Sequence, residues 1–324
     1  MKNKKYMKSI NFLTGRIASV IHLSFVMLLI LSLGCRDKKA APADKTSNDP
    51  KALKVAILVY PGVELLDFSG PTEVFSNARG FQVFTVSTVK GKISSNNASL
   101  SINPDYVYSD APRADILVIP GAPMEVIAKL GSDPALMSYI RKANSETKLT
   151  MSVCTGAGIL AKAGILDNKK ATSHSSAIDT LRVLFPKTQF LTDVRFVEDG
   201  KVVTTAGVSA GIDGALHVVE KLKGLKEALF LTAVMEYDKW KPEEGLVVGA
   251  MKMGGEHMQT MEMPSGQSPA KAASPNAALK KDLICGMDVS DNRYASIYKG
   301  KTYLFCSITC KKLFDQHPDL YVKN

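Results

Sequence analysis

Five cysteines divide this 324-residue chain by the chemistry each could do. Cys154 stands alone at the end of an apolar run, Leu149-Thr150-Met151-Ser152-Val153, and is followed by Thr155-Gly156-Ala157-Gly158. A strand that ends in a nucleophile and turns through glycine into a helix presents that side chain in a tight corner, beside unpaired N–H groups. The positive end of the helix favours thiolate, the nucleophilic form. Free cysteine is also a common core residue, so this segment alone leaves a packed thiol as open as a reactive one. Cys285, Cys306 and Cys310 cluster instead, with spacing C-x20-C-x3-C. The last two fall four apart where a helix begins, and so on one face. Three thiolates suit a soft ion such as Zn²⁺ or Cu⁺, with His317, Asp288 or water as the fourth ligand. The alternative is a disulfide within the trio plus one free thiol. Met251, Met253, His257, Met258, Met261 and Met263 are further copper-type donors, although low-complexity segments also accumulate methionine.

The elements that must position these groups alternate in type. Residues 53–60 form a nearly continuous apolar run, as a strand buried on both faces requires. Further strands are expected at 81–88, 115–119 and 148–154, and helices at 134–144, 156–163, 175–185, 212–222 and 226–237. That alternation implies a parallel sheet with helices on both faces, an α/β fold. Runs 190–196 and 201–205 around Glu198-Asp199-Gly200 read as a hairpin. Pro71 suits the first turn of a helix, with Glu73 near its positive end. In a parallel sheet the strand ends converge, so the loops at 61–71, 119–123 and 154–158 share one crevice. Residues 241–280 shift to Gly, Pro, Ser, Ala, Lys and Met without period and read as a linker; ordered character resumes over 281–324.

Together with Ala171-Thr172-Ser173-His174 and Ala206-Gly207-Val208-Ser209-Ala210-Gly211, those loops resemble the ThiJ/PfpI family, over about residues 52–237. The implied fold is the flavodoxin-like three-layer sandwich of the class I glutamine amidotransferase-like proteins. Leu65-Leu66-Asp67-Phe68-Ser69-Gly70-Pro71 and Cys154-Thr155 are most similar to the isonitrile hydratase-like subgroup and to one half of some AraC-type regulators. The resemblance implies a cofactor-free lyase or hydrolase acting on a small molecule, and a homodimer. Cys154 would be the nucleophile and Asp67 the acid beside it. Backbone N–H groups of Thr155 and Gly121 would stabilise negative charge. Asp67 could instead be a helix N-cap. His174 could orient substrate or act as a base, or simply precede a helix; His217, in an apolar helical pattern, reads as packed structure. Thr155 stands where the protease branch has histidine, which disfavours proteolysis. A cysteine module, not a helix-turn-helix unit, follows the domain, which sets the regulator reading aside. Residues 281–324, with Cys285-Gly286-Met287 and Phe305-Cys306-Ser307-Ile308-Thr309-Cys310, resemble the YHS domain, a small α+β metal-associated module.

A basic stretch precedes the apolar run Val20–Leu33, which closes at Gly34-Cys35. This resembles a lipoprotein signal peptide over 1–35, with Cys35 lipidated and 36–52 a polar tether. The expected location is the cell envelope, lipid-anchored on the periplasmic side. The formal charge is +10, but residues 1–35 carry five basic residues and no acid, leaving 36 basic against 31 acidic elsewhere. That residue is spread over linker and surface, so no nucleic-acid partner is expected. Two function classes follow. One is a cysteine-dependent hydratase or hydrolase of a small electrophile with an appended metal-binding module. The other is a non-catalytic metal-handling or thiol stress-sensing envelope protein.

Overall fold

The computed structural model describes residues 49–249, 280–289 and 293–322. The signal-like segment with Cys35 and the Met251–Met263 cluster lie outside the described residues.

Eight strands form one sheet: β1 (Leu53–Val59), β2 (Phe81–Ser87), β3 (Tyr106–Val107), β4 (Ile116–Ile119), β5 (Leu149–Val153), β6 (Phe196–Asp199), β7 (Val202–Thr205) and β8 (Gly245–Val247). Their spatial order is β8-β6-β7-β5-β4-β1-β2-β3. Every neighbouring pair is parallel except the β6–β7 hairpin. All of β4 and β5, and Val55–Val59 of β1, are buried. Buried strands of this kind are apolar without alternation because helices cover both faces.

The helices are α1 (Leu65–Asn77), α2 (Met124–Gly131), α3 (Pro134–Glu146), α4 (Gly156–Lys162), α5 (Ser175–Leu184), α6 (Ala210–Lys223) and α7 (Leu225–Val234). Helix α6 packs on both α1 and α7, and α2 packs on α4 and α3. Helix α3 starts where its sequence says it should: Pro134 occupies the first turn, and the Asp133 carboxylate accepts from the Ala135 and Leu136 N–H groups.

Three expectations are corrected. Helix α1 begins at Leu65, so Pro71 lies inside it, and Glu73 sits beyond the first turn, where it accepts from Asn77. The hairpin pairs 196–199 with 202–205, so Glu198 and Asp199 are in the strand and only Gly200-Lys201 turns; Gln189–Phe190 pairs with Lys170–Ala171 instead. Residues 241–249, expected to open a linker, instead carry Gly245–Val247, a parallel edge strand beside β6. Their mixed composition hid a strand only three residues long.

The C-terminal module pairs β9 (Lys280–Lys281) with β10 (Asp288–Val289) and β11 (Tyr294–Tyr298) with β12 (Lys301–Phe305), both antiparallel, followed by α8 (Ile308–Gln316) and α9 (Pro318–Tyr321). Ile284, Phe305, Cys310, Phe314 and Tyr321 form its core. Helix α8 packs against α7. Among the described residues, no helix is long and apolar enough to cross a membrane.

Candidate active site and metal centre

Cys154 follows the last residue of β5 with φ +59°, a left-handed conformation rare for a residue with a Cβ. Its own N–H donates to the Thr205 and Ala206 carbonyls, 3.2 and 3.1 Å away, while its carbonyl accepts from the Ser173 hydroxyl at 2.8 Å. These bonds hold the corner. Gly156 is required directly after it, because a Cβ there would collide with the Ile119 and Pro120 carbonyls. The N–H groups of Thr155 and Val208 point to the Cys154 sulfur. Val208 is itself left-handed, φ +46°, a strained state for a β-branched residue. Two unusual backbone positions therefore face each other across the thiol.

Asp67, in the first turn of α1, is fully buried. Its Oδ2 accepts the Gly121 N–H at 2.9 Å, and its Oδ1 has no conventional hydrogen-bond partner among the described residues. The group that Asp67 meets is the Cys154 thiol: each alters the other's proton affinity. Burial raises the Asp67 pKa to about 7, against the partial relief given by the Gly121 N–H and Cys154. Burial, then the Asp67 charge, raises that of Cys154 to about 12. The expectation of a resting thiolate is thereby corrected: the helix-start field is outweighed by desolvation and a neighbouring carboxylate. Two such interacting acids titrate as a pair: below about pH 7 both are protonated, and above it the pair keeps one proton, on the sulfur. Tyr60, also fully buried, closes the site; its hydroxyl donates to the Pro120 carbonyl at 2.6 Å, and burial, Asp67 and Cys154 raise its pKa.

The structure brings Cys154, Asp67, Thr155 and Gly121 together. Asp67 is not an N-cap, since Glu64 occupies that position and Asp67 bonds across to Gly121. The Gly121 N–H is committed to Asp67, so it is no free donor for developing negative charge; Val208 supplies the second N–H at the sulfur. A Cβ on Gly121 would lie 2.6 Å from Thr155 Oγ1 and 2.7 Å from Asp67 Oδ2. The Thr155 hydroxyl is structural, donating to the Ala122 carbonyl at 2.6 Å and accepting the Ala122 N–H at 2.9 Å. His174 caps α5, its Nδ1 accepting the Ser176 N–H at 3.2 Å. It also lines a cleft of about 340 Å³ with Ser173, Asp193, Gly207 and Val208. His217 is packed, as expected, stacked on Phe196 and bonded to Glu198 at 2.6 Å. Sequence reading missed Tyr60 and the Val208 N–H; the glycine before Val208 was the available sign of a tight turn.

In the C-terminal module, donor atoms of Asp282, Cys285, Cys306 and Cys310 all lie within 4.8 Å of one another. The Cys285–Cys306 and Cys306–Cys310 sulfur separations are 3.4 and 3.8 Å. Tetrahedral ligands about 2.3 Å from a zinc ion stand roughly 3.8 Å apart, so the set fits a thiophilic metal. Asp282, 2% exposed, also accepts the Ile284 N–H at 2.7 Å and the Cys306 N–H at 2.8 Å, tying both cysteine-bearing segments together. It takes the place expected for His317 or Asp288, neither of which joins the cluster; Asp288 pairs with Lys281 instead. The four cysteines described are free of disulfides. Burial and the neighbouring acidic groups raise Cys306 to about 11 and push Cys310 up as well.

A parallel α/β sheet with cysteine at a strand-to-helix elbow, opposite a buried carboxyl, defines a cysteine-centred protein of flavodoxin-like fold. More particularly, the chain belongs to the DJ-1/PfpI family, whose model matches residues 53–221, and it carries a YHS domain over 281–324. It is 31% identical over 188 residues to the isonitrile hydratase of Pseudomonas putida, covering 57% of this chain and 79% of that protein. The HTH-type transcriptional regulator CdhR of Pseudomonas aeruginosa is 26% identical over 194 residues, covering 58% of this chain and 56% of the regulator. A ThiJ/PfpI family structure from Pseudomonas syringae superposes with TM-score 0.54 at 31% identity, over 64% of this chain and 85% of that one. DJ-1beta of Drosophila melanogaster superposes with TM-score 0.51 at 22% identity, over 57% of this chain and 98% of that one, which shows the fold alone.

Proposed function

We propose that the larger domain is a cysteine-dependent hydratase of a small electrophile, of the isonitrile hydratase type, and that the YHS domain binds Zn²⁺ or Cu⁺. The observation that carries the reading is the Cys154 thiol set against the fully buried Asp67 carboxyl, whose pKa burial raises to about 7, where it can both take and give a proton. As sulfur attacks the terminal isonitrile carbon, the thiol proton passes to Asp67. The Asp67 acid then gives that proton to the same carbon, leaving a thioformimidate. Water adds across the C=N bond, hydroxyl to carbon and proton to nitrogen. The C–S bond breaks as the hydroxyl proton returns to sulfur by way of Asp67, releasing an N-substituted formamide. The N–H groups of Thr155 and Val208 steady the sulfur while it carries charge. Formamide release from an alkyl isonitrile tests the reading: it requires Cys154, and full turnover by Cys154→Ala overturns the mechanism.

Asp282, Cys285, Cys306 and Cys310 would hold the metal, whose binding staples a module too small for a large core. The chain is further proposed to act as a lipoprotein of the cell envelope, anchored through Cys35, and as a homodimer. Palmitate labelling abolished by Cys35→Ser supports the anchor; labelling that persists rejects it. The fully protonated, buried Cys154 favours a second reading, a metal-handling or thiol stress-sensing envelope protein. Ready oxidation of Cys154 to the sulfinic acid with no isonitrile turnover would select it.

A further inference from the structure

The segment 205–211 meets Cys154 twice. The Thr205 and Ala206 carbonyls hold its backbone N–H, and the Val208 N–H points to its sulfur. Val208 does so in the left-handed region, φ +46°, which a β-branched residue keeps where its surroundings over-determine it. The turn supplies part of that hold: the Ala210 N–H donates to the Gly207 carbonyl at 3.1 Å and the Gly211 N–H to the Val208 carbonyl at 3.3 Å. Gly207 adds to it by lying so close to the His174 ring that a Cβ would collide there.

A single residue, Arg195, supplies the rest. It stands immediately before β6 and grips the segment on both sides of Val208. Its carbonyl accepts the Ala206 N–H at 2.9 Å, and its Nη2 donates to Ser209 Oγ at 3.1 Å. Its Nε donates to Asp213 Oδ2 at 2.7 Å, and Nη2 bonds the same oxygen. Asp213, buried in the first turn of α6, is fixed in turn by the Tyr237 hydroxyl, which donates to Oδ1 at 3.0 Å. The Arg195 N–H donates to the Glu244 carbonyl at 2.9 Å, which anchors the arginine at the start of β8. A planar fork spans a carboxylate and a hydroxyl together, a geometry that the single nitrogen of lysine does not reproduce.

We propose that Arg195 is a positioning residue for Cys154: held by Asp213 and Tyr237, it fixes Ser209 and so keeps the Val208 N–H on the sulfur. Its bearing on catalysis rests on the hydratase reading, whereas its bearing on the thiol does not. Two measurements on the full chain therefore test it. In the first, iodoacetamide alkylates the protein at about pH 8, and the tryptic peptide 149–162, which carries Cys154, is followed by mass spectrometry. Arg195→Lys keeps the charge and loses the fork. It should alkylate about tenfold more slowly than wild type, the lower end for losing a hydrogen bond to a charged atom. Ser209→Ala, at an exposed position that does not threaten folding, should slow alkylation about threefold. A merely structural role predicts the opposite sign, because a loosened domain exposes its buried thiol and alkylates faster. In the second, formamide release from n-butyl isonitrile should lose kcat by the same factors with KM unchanged. Alkylation at or above the wild-type rate in either variant, or a raised KM with kcat intact, overturns the positioning role. If wild type releases no formamide, the hydratase reading falls, and slower alkylation of both variants still upholds Arg195.

Discussion

The two thiol centres use the same atom for different ends, and their neighbours make the difference. At Cys154 one sulfur faces one carboxyl inside the larger domain, and among the described residues the other groups aimed at it are the backbone N–H donors of Thr155 and Val208. In the C-terminal module three sulfurs and a carboxylate converge within 4.8 Å, in a domain whose apolar core, among the described residues, is five buried side chains. Burial raises the thiols in both places, to about 12 at Cys154 and about 11 at Cys306. Proton affinity alone therefore does not distinguish nucleophile from ligand. What distinguishes them is whether the nearest partner is a proton acceptor or another soft donor.

The largest expected effect comes from exchanging the two centres' losses. Cys154→Ala should reduce isonitrile turnover to background while leaving bound metal at one equivalent per chain. Cys306→Ala with Cys310→Ala should lose that metal while formamide release continues. Turnover and metal content measured on both proteins check the division, and a shared loss would mean the two centres form one functional unit.

Asp67→Asn comes next. It removes the proton acceptor but keeps an oxygen for the Gly121 N–H, so a drop of about 10²–10⁴-fold in kcat is expected from steady-state kinetics. Gly121→Ala follows, because its Cβ would press on both Asp67 and Thr155. Overpacking of this kind costs about 1–3 kcal/mol, read from urea unfolding.

The smallest effect concerns a pair that belongs to neither centre, His217 with Glu198. The His217 pKa is raised by Glu198 and Glu220 despite burial, and that of Glu198 is lowered by His217 and Lys221 despite burial. The His217 contribution to stability is complete below about 6.5, its unfolded value, and is lost as pH rises through its folded pKa. Glu198 contributes above about 4.5 and loses that contribution as pH falls through its folded pKa. His217→Gln should therefore cost more at pH 6 than at pH 9, by about 1 kcal/mol in denaturant titrations.

The parallel sheet and the three loops around Cys154 were legible in the sequence, because buried strands are apolar without alternation and glycine marks the turn at 154–158. The three-cysteine spacing likewise pointed to a cluster. Less was legible where a residue's role depends on a partner far along the chain. Gly121 looked like a free donor until its N–H was found on Asp67, 54 positions away. Thiolate at Cys154 was expected from the local helix start, whereas burial by the whole domain decides the outcome. Asp282 escaped notice because a lone acid before a cysteine carries no periodicity, and only the fold brings it to Cys306 and Cys310. The edge strand at Gly245–Val247 is too short for its composition to announce it.

The central claim is that Asp67, buried beside the Cys154 thiol, exchanges its proton near neutral pH, and the carboxyl carbon of Asp67 reports it directly. With ¹³C-labelled aspartate, the Asp67 resonance should titrate with an inflection near pH 7 in the intact protein. An inflection near pH 4, the ordinary value for an aspartate at about 3.9, would contradict the account.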